Sequence, residues 1–148
     1  MDKVTIKRIA VKNLFDALQA CRTLEISKQF RYAIARTIPK LDELLKATYE
    51  TYPLPELKGY QQDLQAAAVE GVVSEEKVKE IRAKYKESLD KFEAWQKETE
   101  PHWNENVEVE IFKVDLDLVD VNDTSIENDV QRNLQNQRIY EAIVPMIK

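Results

Sequence analysis

Only two of the 148 residues are glycine, Gly59 and Gly71, where about 7% is usual. A glycine-rich phosphate loop is therefore excluded, and tight primed hairpin turns are not expected. There is one cysteine, Cys21, so no intramolecular disulfide can form. Its apolar helical position points to a buried structural thiol. The single histidine, His102, has no nucleophile setting around it in "PHWNEN", and is read as a surface or helix-end residue. One Cys and one His cannot make a clustered metal site. The N-terminus "MDKVTIKRIAVK" lacks an uninterrupted apolar segment of the signal-peptide kind. No apolar run approaches the ~20 residues that cross a bilayer. The expected setting is a reducing cytoplasm.

Charge is plentiful but unevenly placed. The net charge is −5. Residues 1–40 hold nine Lys/Arg against three Asp/Glu, residues 41–100 nine against fourteen, and residues 101–148 four against ten. Such a split implies either an internal charge match or a local anion site. It argues against binding duplex nucleic acid, which needs a whole basic face.

The pattern along the chain predicts a mostly helical α+β fold in one domain. "VTIKRIAV" (4–11) is β-branched and reads as a short strand. Asn13 is the expected cap of a first helix, with Asp16 in a capping-box-like position. Ser27 is the expected cap of a second. Phe30, Ile34, Ile38, Leu41, Leu45, Tyr49 and Tyr52 make one apolar stripe through Pro39, so a kinked helix is expected there. A weak helix over about 60–70 and a loop at "EGVV" follow. Ser74 should cap a strong helix that Pro101 ends. "NVEVEIFKVDLDLVD" (106–120) is the clearest strand, with a phase shift after Ile111 that a bulge would permit. "VNDTS" reads as a turn capping a polar last helix over about 126–143. Long helices would brace an antiparallel pairing of 4–10 with 107–116, since an isolated two-stranded ribbon is marginal in water. The core would end near residue 120, leaving 121–148 as an oligomer or partner contact.

Few residues carry chemistry. The acidic "DLDLVDVND" lacks the glycine and closing glutamate of a calcium loop. No metal, cofactor or catalytic residue is expected, and the chain reads as non-enzymatic. "KQFRYAIARTIPK" (28–40) is more informative. Lys28, Tyr32, Arg36 and Lys40 step by four opposite the apolar stripe, with Arg31 at its edge. The common reading of such a face is solvated charge pairing with acidic helices. The functional reading is an anion site, because arginine offers a bidentate fork to phosphate and a tyrosine ring can stack on a base. Arg22, Lys28, Arg31, Tyr32, Arg36 and Lys40 are the candidate ligand residues. Trp103, Arg132, Arg138 and Tyr140 are the candidates for a protein interface.

"LFDALQACRTLEISKQFRYAIARTIPKLDELL" (14–45) resembles the opening of a family of small bacteriophage-encoded proteins of unknown function. Their pattern is a short strand, N-x-x-x-A-L, then a Y-A-I-A-[RK] helix. It is matched here by Asn13, Ala17, Leu18, Tyr32, Ala33, Ile34, Ala35, Arg36, Lys40 and Leu41. "VEVEIFKV" (107–114) resembles the family's late strand. The resemblance implies a phage protein in a bacterial cytoplasm without known enzymatic activity. Two expectations follow. One is a counter-defence homo-oligomer that sequesters a small anionic, nucleotide-type signal. The other is a protein–protein module that inhibits a host protein or assists virion assembly.

Overall fold

The computed structural model describes residues 1–57, 59–121 and 126–148. Among these, six helices accompany a two-stranded antiparallel sheet, in the order β1 (Asp2–Lys7), α1 (Arg8–Cys21), α2 (Lys28–Thr51), α3 (Tyr60–Ala67), α4 (Glu75–Lys84), α5 (Lys86–Trp103), β2 (Asn106–Ile111) and α6 (Asp129–Ile143). The helical α+β class with a small sheet from both ends is as expected. The chain divides into two compact units, Met1–Thr48 with His102–Lys148, and Tyr49–Pro101.

In the first unit β1 pairs with β2 from Asp2 opposite Ile111 to Lys7 opposite Asn106. Val109 and Ile111 are buried, which gives the ribbon the apolar cover it needs. The strand expected over 4–11 is shorter. Arg8, Ile9, Ala10 and Val11 are helical, and α1 starts at Arg8 with no side-chain cap. Helical spacing wins because Val11 joins Leu14, Leu18 and Cys21 on one buried face. Asn13 and Asp16 are therefore interior, and Asp16 pairs with Lys12 at 2.8 Å. α2 is one helix through Pro39. Pro39 and Ala35 are both exposed, so the Ala35 carbonyl that loses its partner can be hydrated. Ser27 caps α2 as expected, its Oγ accepting from the Phe30 N–H at 3.1 Å.

β2 ends at Ile111 and does not run to 120 through a bulge. Val114 instead pairs with Ile147 as an isolated parallel bridge, and 116–118 form a 3-10 turn. α6 begins at Asp129, capped by Asn128, whose Oδ1 accepts from the Gln131 N–H at 3.0 Å. Residues 122–125 of the expected "VNDTS" cap lie outside the described residues. α6 lies on α1 and buries Ile139 and Ile143. It contributes to the core of the first unit, where the sequence had placed the core's end near 120.

The second unit has little apolar core of its own, with Ile81 and Thr99 its most buried side chains. The strong helix expected from Ser74 is interrupted at Tyr85, between α4 and α5. Pro101 lies inside α5, which runs on to Trp103. "EGVV" is more ordered than a loop. Glu70 and Gly71 take φ of 54° and 79°, and Val69 and Val72 exchange backbone hydrogen bonds of 2.8 and 3.0 Å. That is a primed two-residue turn, against the expectation from glycine scarcity.

Candidate functional site

The basic stretch of α2 is exposed, and its five candidate residues, with Arg22 at the end of α1, have different fates. Lys40 pairs with Glu110 of β2 at 3.3 Å. Arg31 donates to the carbonyls of Arg22 (3.4 Å) and Leu24 (3.1 Å), closing the end of α1, where carbonyls lack helical partners. Arg22 donates to the Gln19 side chain at 3.2 Å. Lys28 is exposed and, among the described residues, has no carboxylate partner.

Arg36 is held without being neutralised. Its Nη1 donates to the Tyr32 hydroxyl at 3.1 Å, and its guanidinium carbon lies 5.9 Å from the Tyr32 ring centre. Tyr32 meets Phe112 edge-on, with centroids 5.3 Å apart and planes at 88°. Phe112 is fixed in turn through its N–H, which donates to the buried Thr37 hydroxyl at 3.0 Å. Thus Thr37, Phe112, Tyr32 and Arg36 form a chain of support from the interior to the surface. Tyr32 remains 52% exposed. Thr37 and Phe112 were not among the sequence candidates. Their only signal was a hydroxyl beside the apolar stripe and an aromatic ring just past the strand.

The four interface candidates are dispersed. Trp103 is buried at 9% exposure. The Tyr140 hydroxyl donates to the Val119 carbonyl and accepts the Val121 N–H, both at 3.1 Å, tying the chain before 122 to α6. Arg132 pairs with Asp129 and donates to the Ile126 carbonyl at 3.3 Å. Arg138 is exposed on a cleft of about 640 Å³ between α1 and α6, floored by Ala10, Ala17, Ile139 and Ala142. None of the six candidate ligand residues lines that cleft.

His102 is at a helix end, as expected, but it is half-buried and hydrogen-bonded on both ring nitrogens rather than free on the surface. It sits in the last turn of α5. Arg8 Nη1 reaches its Nδ1 at 3.0 Å, its carbonyl at 2.8 Å and Glu105 Oε2 at 2.9 Å. Since a guanidinium can only donate, Nδ1 accepts, and the proton belongs on Nε2, which faces the Thr48 hydroxyl at 2.9 Å. Partial burial, and then the Arg8 charge, hold the imidazole below its ordinary pKa, with Glu105 acting the other way. Burial pushes the Cys21 thiol up to about 11, so little reactive thiolate forms at neutral pH. Among the described residues there is no cluster of His, Cys, Asp or Glu that could hold a metal ion. Nor is any helix among them long and apolar enough to cross a membrane.

Comparison with protein-family models, with curated proteins and with solved structures gives no match.

Proposed function

We propose that the protein acts by binding rather than catalysis, and that the start of α2 docks onto an acidic surface of a protein partner. One observation carries this reading. Arg36 is exposed, has no carboxylate partner among the described residues, and is oriented by the Tyr32 hydroxyl on an open helix face. Arginine and tyrosine are favoured at interface centres, because they combine large contact area with directional hydrogen bonds. A small nucleotide is served less well. Ligand sites usually bury most of the ligand in a concavity, whereas the cleft between α1 and α6 contains none of the α2-face residues. In the phage setting that the resemblance implies, such a module would restrain a host protein or join virion assembly. The nucleotide-sequestration reading draws on the half-exposed Tyr32 ring beside Arg36 and Lys28, and the same experiment decides between the two.

That experiment is fluorescence anisotropy with a labelled hexaglutamate peptide, alongside a panel of cyclic and linear nucleotides. The peptide should bind, and Arg36→Ala should weaken it by at least about tenfold, the loss of a charge-assisted contact of ~1.4 kcal/mol or more. An unmodified nucleotide binding more tightly than the peptide, with the same dependence on Arg36, would replace this reading with sequestration. Peptide affinity unchanged by Arg36→Ala would remove the face from consideration.

A further inference from the structure

The acidic counterpart of the α2 face lies beside it. The Phe112 N–H bonds to Thr37 at 3.0 Å, the Phe112 ring meets Tyr32, and Ser27 Oγ donates to the Leu118 carbonyl at 2.8 Å. Residues 112–118 therefore run antiparallel to α2, from the level of Thr37 back to Ser27. Asp115, Leu116 and Asp117 are exposed on this segment, with Asp120 just beyond. Leu116 is 58% exposed. Among the described residues these three aspartates have no cationic partner, as Lys28 and Arg36 have no anionic one. A basic stripe and an acidic strip thus lie side by side, each uncompensated. Each carries one large exposed side chain, Tyr32 on one and Leu116 on the other.

A surface of that kind complements itself. A two-fold axis lying in the interface and parallel to α2 sets the basic stripe of each copy on the acidic strip of the other. It brings Tyr32 of one towards Leu116 of its mate. Isologous contacts of this type close after two copies. We propose that the protein forms a two-fold homodimer through this face, with Lys28 and Arg36 of each copy on Asp115 and Asp117 of the other. The inference rests on α2 as a docking face and names a second copy of the chain as a partner for it. Exposed pairs are individually weak and are screened within about a Debye length, so the dimer should be micromolar and salt-sensitive.

The test is sedimentation velocity on the full chain, followed by a charge exchange. The wild type at about 100 µM should be dimeric in ~0.05 M salt and largely monomeric in ~0.5 M. The pair Lys28→Glu with Arg36→Glu leaves the face predominantly acidic, with Arg31, Lys40 and Lys113 its remaining cations, and Asp115→Lys with Asp117→Lys leaves it predominantly basic, with Asp120 its remaining aspartate. All four positions are exposed, and circular dichroism checks that each variant is folded. Each variant alone should be monomeric, and an equimolar mixture should give a 1:1 heterodimer. A monomeric wild type at low salt, a variant that still self-associates, or a mixture that stays monomeric would overturn the proposal. The wild-type salt series decides even if a variant fails to fold. A monomer that binds hexaglutamate loses this inference alone. A salt-sensitive dimer whose monomeric fraction ignores the peptide loses only the preceding reading.

Discussion

Replacing Thr37 by valine tests the support beneath Arg36. Thr37 is fully buried in α2, and its hydroxyl accepts the Phe112 N–H at 3.0 Å where the chain leaves β2. Valine keeps the shape and β-branching, so packing and helix propensity change little. What is lost is the acceptor. An orphaned buried amide costs about 1–3 kcal/mol. Phe112 is only half-buried, which places the expected loss at about 1–2 kcal/mol. For a chain of this size each kcal/mol lowers Tm by about 2–4 °C, so a fall of roughly 2–8 °C is expected. Urea unfolding should show a lower midpoint with an unchanged slope. Amide exchange should show the Phe112 proton losing protection, and the Tyr32 ring signals should shift as its neighbour loosens. A stability change below about 0.5 kcal/mol with Phe112 still protected would refute the reasoning, because the amide would then have another partner.

His102 makes stability depend on pH. Its folded pKa is depressed, so folding binds fewer protons there than unfolding does. Its contribution is complete above the unfolded value of about 6.5 and is lost as pH falls from there towards the folded value, by at most about 1.4 kcal/mol per pH unit. Urea unfolding between pH 5 and 8 should show this dependence reduced in His102→Gln, and an identical profile in both proteins would refute it. Gly59→Ala should destabilise the second unit by about 1–3 kcal/mol through its positive φ of 90°. The added Cβ would also lie 2.7 Å from the Tyr85 hydroxyl, which Asp63 already holds at 2.7 Å. Loss of the edge-on Tyr60–Tyr85 contact in near-UV circular dichroism is the readout, and native stability with an unchanged spectrum would count against it.

What could be read from the sequence was whatever repeats with a clear period. The α2 stripe is one case, since Phe30, Ile34, Leu41 and Leu45 are all buried. The antiparallel meeting of an early strand with one after residue 106 is another, because β-branched residues mark the first and alternation marks the second. Residues 8–11 went astray because "IAV" suits a strand locally, while its burial is decided by Leu14 and Leu18 further along α1. Residues 112–120 misled for the opposite reason. Their alternation imitates a strand, but Phe112 is bound to Thr37 and Val114 to Ile147, neither of which is near in sequence. The candidate face was legible as a helical stripe of cations. Which of them are already engaged was not, because Arg31 and Lys40 have partners that only the fold brings near.

The uneven charge can now be divided. Lys3, Arg8 and Lys40 from the basic opening pair with Glu108, Glu105 and Glu110 respectively, all in or just before β2. Here the charge split is an internal match between segments that the fold pairs. The exposed Lys3 and Lys40 pairs add little stability, but like charges across β1 and β2 would have cost some. The match stops where β2 stops. Past Ile111 the acidic residues Asp115, Asp117 and Asp120 remain without cations, and at the start of α2 Lys28 and Arg36 remain without anions, among the described residues. Both leftovers lie along the same first turns of α2, since Ser27 bonds to Leu118. If internal pairing were the whole purpose of the split, neighbouring opposite charges would be the first to meet. Their separation leaves two uncompensated strips on one open surface, and that surface is where a binding function should be sought.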